Sequence, residues 1–292
     1  MDISDASVPD TLFTEVLGRK VSGTGVRRPA VSGYFYPAEA ERLRRMIEAA
    51  APRAASPQAV PAVIVPHGSY TRCSAVIGSV FERVAIPRRC ILVGPSHTGS
   101  WLPWSILGSG GYRTPLGDVP VDVTLAGALR NGCPLLPAED WPQEGEHAIE
   151  VVVPFLQHLG PADLSIVPVL VGSDDAEELR RFAAALAEVV RRAEEPVLLI
   201  ASTDLTHFQP LERTAQHDRE LIAALCALDD AALMREAQDG GGSMCGYGAA
   251  AAVIGAARAL GARRGALTRY ATSAEADGDP DSVTGYAGII LD

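Results

Sequence analysis

Four short runs are apolar at nearly every position instead of every second one: "AVPAVIV" ending at Val65, "CILV" ending at Val93, "LSIVPVLV" ending at Val171 and "PVLLIA" ending at Ala201. A strand with one wet face alternates, whereas a strand apolar along its whole length has to be covered on both faces by helices. Helical stretches lie between the runs. "PAEAERLRRMIEAAAP" sets Leu43, Met46 and Ile47 at helical spacing between Pro37 and Pro52. Further helices are expected over residues 74–84, 148–159, 176–193, 212–227 and 248–260. This alternation, with no fixed-period repeat and no dividing linker, predicts a single-domain α/β protein of three layers, α/β/α, around a largely parallel or mixed sheet. Residues 1–26 are polar and are expected to form an arm; residues 27–292 form the domain.

In such a sheet, ligands collect where loops leave the carboxyl ends of the strands. The run ending at Val65 leads to Pro66 and His67, the run ending at Val93 leads to "GPSH" with His97, and the run ending at Ala201 leads to "STDLTH" with Asp204 and His207. Three of the six histidines thus follow three strands at one end, which favours a shared site. His147, at the start of a predicted helix, could reach the same rim. His158 and His217 lie among polar residues and read as surface side chains.

Neutral imidazole is a common metal ligand, and two histidines with one anionic ligand suit a divalent metal that keeps open positions. Asp204, Glu146 and Cys245 are the candidates for the third donor. Cys245, in "SMCGYGAAAAV", stands at the glycine-rich entry to a small-residue helix, where a helix N-terminus favours the thiolate. A metal-free arrangement also fits the residue types, with Cys245 as nucleophile, His207 or His147 as base and Asp204 as orienter.

The remaining features are blander. The glycines of "DGGGS" read as a flexible loop, and "YRTPLGD", with Tyr112 and Arg113, as a rigid turn with a lesser claim on the pocket. Trp101 and Trp104 are expected to pack on a helix, and "EADGDPDS" to form a solvated turn, since it lacks the spacing of a calcium loop. A formal charge of −11 without a concentrated basic face argues against nucleic-acid binding. The five cysteines, Cys73, Cys90, Cys133, Cys226 and Cys245, are widely spread and include no CxxC pair, which fits a reducing cytoplasm better than a disulfide framework. The acidic N-terminus has no secretory pattern, and no apolar run reaches membrane-spanning length, so a soluble cytoplasmic protein is expected. The nucleophile-elbow, Walker and dinucleotide glycine motifs are all missing.

The ordered set "RRPAVSGYFYPAEAERL", "VPHGSY", "VGPSHTG", "YRTPLGDVPVD", "EHAIEVVVPFLQ", "IVPVLVG", "STDLTHF", "CGYGA" and "SVTGYAG" resembles the Memo family, known in bacteria as AmmeMemoRadiSam system protein B. The likeness runs from about Arg27 to the C-terminus. It implies a fold similar to that of the LigB-type class III extradiol dioxygenases, which use non-haem iron(II). It also implies a metal site of two histidines and a cysteine: His67, His97 and Cys245. His147, Asp204 and His207 would line the same pocket, with His207 as acid/base and Asp204 setting its tautomer. A thiolate in place of a carboxylate makes a softer site, suited to Fe(II) but also to Zn(II) or Cu(I). The implied activity is a dioxygenase-like oxidoreductase acting on a small phenolic or related substrate. The alternative is a non-catalytic metal-binding or redox protein, and the implied pathway partners are AMMECR1-like and radical SAM proteins.

Overall fold

The computed structural model of the chain describes residues 25–52, 56–98, 103–137, 143–239 and 244–292. Nearly all of the expected arm, the glycines at 240–242 and Trp101 lie outside these residues. The four apolar runs form the centre of a seven-stranded sheet as β2 (Ala62–Val65), β3 (Arg89–Pro95), β7 (Ser165–Val171) and β8 (Val197–Ser202). They are mutually parallel in the order β7-β3-β8-β2 and almost wholly buried, as strands covered on both faces must be. Three strands complete the sheet antiparallel to their neighbours: β4 (Trp104–Ile106) beside β7, and β10 (Gly285–Leu291) followed by β9 (Gly265–Thr272) beyond β2. The sheet is therefore mixed. A separate three-stranded sheet joins β1 (Val26–Arg27), β5 (Gly111–Thr114) and β6 (Gly117–Pro120).

Pro168 sits inside β7 without breaking it. Its carbonyl accepts from the Leu107 N–H at 3.2 Å, so its missing donor faces the same side, where β4 has already ended at Ile106.

Helices α1 (Ala40–Ala50), α2 (Tyr70–Phe81), α3 (Val123–Gly132), α4 (Val153–Leu159), α5 (Ala176–Arg192), α6 (Leu211–Cys226), α7 (Asp230–Asp239), α8 (Tyr247–Ala259) and the short α9 (Ala274–Asp277) surround the large sheet. Expectation and structure agree well for α1, α5, α6 and α8. The small residues of α8 let it lie across β2, β3 and β8 and close against α5, where a Cβ on Gly255 would stand 3.0 Å from Ala183. Two segments differ. α2 starts at Tyr70, four residues before the expected boundary. The expected helix over 148–159 is helical only from Val153. The preceding N–H groups of His147 and Ala148 are taken by the Glu146 carboxylate at 2.8 and 2.9 Å, and Pro154 then opens the helix in its first turn. Among the described residues, no helix is long and apolar enough to cross a membrane.

Candidate metal centre

Because β8 lies between β2 and β3, the loops leaving their carboxyl ends are neighbours. His67 comes two residues after β2, His97 two after β3, and Asp204 two after β8. The fourth contributor arrives from a distant part of the chain. Cys245 directly precedes Gly246, the N-cap of α8, and a Cβ on Gly246 would come within 2.7 Å of the Ser202 carbonyl oxygen and of the Thr203 side chain. Only glycine permits that approach. The Gly246 N–H donates to Thr203 Oγ1 at 3.0 Å, which seats Cys245 on the end of β8.

The result is one imidazole nitrogen from His67, one from His97 and the Cys245 sulfur, all within 4.8 Å of one another. Sγ of Cys245 is 3.3 Å from His67 Nε2. Donors bonded to one tetrahedral ion at about 2.0–2.3 Å would stand roughly 3.5 Å apart, so the spacing suits a shared metal. The two carboxylates are engaged with the histidines, and Glu146 also stands with His97 and His147 in a second group of donors within 4.8 Å of one another. Asp204 Oδ1 accepts from the His67 backbone N–H at 2.8 Å, while Glu146 accepts from His97 Nδ1 at 2.8 Å and from the His97 N–H at 2.5 Å.

The same contacts set the tautomers. Ser202 has one hydroxyl proton, which it donates to the Ala148 carbonyl at 2.6 Å. Its oxygen is therefore the acceptor for His67 Nδ1 at 2.9 Å, and Nε2 of His67 is left with a lone pair facing the sulfur. A carboxylate can only accept, so Glu146 likewise fixes the proton of His97 on Nδ1.

Electrostatics separate the two imidazoles. Burial, then the charge of His97, hold His67 well below the ordinary histidine value. Burial also opposes charge on His97, but hydrogen bonds to Cys245 and Glu146 outweigh it and raise His97 to about 10. Burial would raise Glu146, yet the bond from His97 brings it down to about 2. Burial pushes the Cys245 thiol up, which corrects the expectation that the helix end alone would favour thiolate. The sulfur thus faces two unlike imidazoles, the neutral His67 and the charged His97, whose hydrogen bond draws the thiol back down.

His147 completes the imidazole cluster. Its ring stacks on His97 at 4.6 Å, meets His67 edge-on at 5.4 Å and is touched by Phe35 at 4.9 Å. Burial lowers it to about 4. His207 lies close enough for its charge to act on both His67 and Asp204, and burial raises the Asp204 carboxyl.

Several other expectations resolve away from the pocket. Tyr112 is buried, with its ring 4.5 Å under the Arg27 guanidinium, while Arg113 pairs with Asp118 in the solvent-exposed β5–β6 hairpin. Trp104 packs on Phe182 of α5 at 5.0 Å and donates to Glu178 at 3.1 Å, as a helix-packing tryptophan should, but from a buried strand. His158 pairs with Glu48 at 3.2 Å. His217 is half-buried, held between Thr206 Oγ1 and the Glu236 carbonyl at 3.0 Å each.

Sequence reasoning missed the mounting beneath His97. Arg27 donates to the Gln143 carbonyl at 2.7 Å, to the Glu146 carbonyl and to the Glu150 carboxylate at 2.8 Å. Glu150 also accepts from the N–H groups of Ala30 and Val31 at 2.7 and 3.0 Å and from Tyr36 at 2.6 Å. No spacing in the sequence links Arg27 to partners more than 110 residues away. Ser202, a lone hydroxyl closing an apolar strand, carried the one local hint.

Fold and donor group together define an α/β protein with a site fit for a single metal ion at the carboxyl edge of its sheet. The profile of the Memo-like protein family matches residues 27–290, and the chain belongs to that family. It is 35% identical over 278 residues to the MEMO1 family protein MK0963 of Methanopyrus kandleri, covering 91% of this chain and 98% of that protein. A MEMO1 family protein of Aquifex aeolicus is 32% identical over 270 residues, covering 91% and 99%. The crystal structure of the uncharacterized protein JW3007 from Escherichia coli K12 shares the fold, with a TM-score of 0.53 at 16% identity over 79% of this chain and 99% of that one.

Proposed function

We propose that His67, His97 and Cys245 hold a divalent transition metal, Fe(II) in the first instance, and that the protein is a dioxygenase-type oxidoreductase for a small phenolic substrate. The observation that carries this reading is the convergence of two imidazoles, their tautomers already set, with one sulfur inside 4.8 Å. Bound iron would supply a redox-active Lewis acid with positions left open by only three protein donors. The chain supplies the rest. His147, lowered to about 4, is neutral at pH 7 and available to accept a phenolic proton beside the donors. His207, three residues after Asp204 on the loop that leaves β8, is the second proton carrier.

Protein purified without air and loaded with Fe(II) is expected to hold one metal per chain by elemental analysis and to consume oxygen with catechol. His67→Ala and Cys245→Ala should lose the metal. His207→Ala should keep the iron and lower turnover by about 100-fold or more. Loss of iron in that variant would assign His207 as a ligand, and a wild-type protein that retains no metal would overturn the reading. Stoichiometric metal without oxygen uptake across phenols would leave a metal-holding, non-catalytic protein.

A further inference from the structure

We propose that Phe208 is the specificity-determining contact of this site, the side chain against which the ring of a bound ligand packs. The inference rests on the reading above of a metal pocket that admits substrate. Two non-glycine residues among those described have positive φ, Leu228 at 55° and Phe208 at 56°. Leu228 is explained locally. It follows the end of α6, where the Asp229 N–H closes back on the Ala224 carbonyl at 3.0 Å, and its side chain is buried. Phe208 has neither excuse: no helix ends there, and it is 75% exposed.

Its backbone is forced into that shape by clamps on both sides. The Leu205 N–H donates to the Gly285 carbonyl at 2.9 Å, the Thr206 N–H to Asp218 at 3.0 Å, and Gln209 and Val283 exchange bonds at 3.4 and 2.9 Å. At such a position glycine or asparagine is the relaxed choice, and an exposed aromatic costs both strain and apolar hydration. Outliers of this kind concentrate at ligand contacts. The location fits, because Phe208 lies four residues after Asp204, whose Oδ1 accepts from the His67 N–H at 2.8 Å, and its ring is 5.6 Å from that of His207 on the same loop. A second aromatic pair comes from another loop: Phe35 touches His147 at 4.9 Å, and the adjacent Tyr34 is 74% exposed.

The test uses two probes with one chelating head, benzohydroxamate with a ring and acetohydroxamate without, titrated calorimetrically into Zn(II)-loaded protein. Phe208→Ala should weaken benzohydroxamate about 3–10-fold, the worth of one ring contact, and leave acetohydroxamate unchanged. Phe208→Tyr should restore the preference. Phe208→Gly should lose the preference and yet raise Tm by about 2 °C, because the backbone strain is relieved. Equal affinities of both probes for wild type and Phe208→Ala would overturn the inference while leaving the metal pocket standing, and so would a fall in Tm for Phe208→Gly. Failure of both probes to bind metal-loaded wild type would remove the pocket reading and this inference with it.

Discussion

The loops that leave β2 and β3 each deliver one imidazole to the same point, but they are built differently. His67 is buried and its ring rests on a neutral group, a serine hydroxyl that passes its own proton to the Ala148 carbonyl. His97 is 31% exposed at its side chain and rests on a carboxylate. The placement of two buried carboxylates, Glu146 and Asp204, accounts for the contrast. Glu146 is satisfied by His97 Nδ1 and by the N–H groups of His97, His147 and Ala148, so it can lie charged under that ring, whereas Asp204 gives Oδ1 to the His67 backbone N–H and the His67 ring turns to Ser202. The lesson is that two like ligands can differ in their metal-free state: His97 favours the imidazolium and His67 the neutral imidazole with its one proton on Nδ1.

The sharpest way to break this contrast is Glu146→Gln, which removes the charge behind His97. Metal affinity should fall by about 10–100-fold, measured by competition with a chromophoric chelator. Ser202→Ala attacks the neutral support. It should cost about 10-fold in the same assay and about 1–3 kcal/mol in denaturant unfolding, since it leaves the ring Nδ1–H of His67 and the Ala148 carbonyl without their partner. Equal losses in the two variants would erase the distinction between charged and neutral mounting.

The smallest effect is on pH dependence. His97 is raised from 6.5 to about 10 in the folded protein, so its contribution is present in full below about 6.5 and fades as pH rises through 10. Glu146 is lowered from 4.5 to about 2, so its contribution is present above about 4.5 and fades as pH falls through 2. Chelator-treated protein should therefore lose a few degrees of Tm between pH 6.5 and 10. Metal-loaded protein should show a flatter profile, because the ion has displaced the proton. A flat profile for the chelator-treated form would remove the protonated His97.

Legibility in the sequence followed the range of the interactions. β2, β3, β7 and β8 could be read because double-sided burial writes an all-apolar run, and the placement of His67 and His97 followed from where those runs stop. β9, "GALTRYAT", escaped notice because an edge strand with mixed exposure has neither an unbroken run nor a clean alternation. The turns at 148–152 escaped because apolar spacing cannot tell that one carboxylate captures the N–H groups a helix would have used. Glu146 itself was visible as an acid near the site, but whether it ligates or orients depends on which atom it faces, and that is a fact of three dimensions.

β1 is only two residues long and pairs with β5 through Val26 and Arg27 alone, so the ladder contributes little to holding it. Its anchorage is the Arg27 fork buried against Glu150 and the carbonyls of Gln143 and Glu146. The outermost segment of the small sheet and the seat of His97 consequently form one cooperative unit: a fluctuation that peels away the former also unseats the latter. Whatever pulls on the chain just ahead of Val26 has a mechanical lever on the rim.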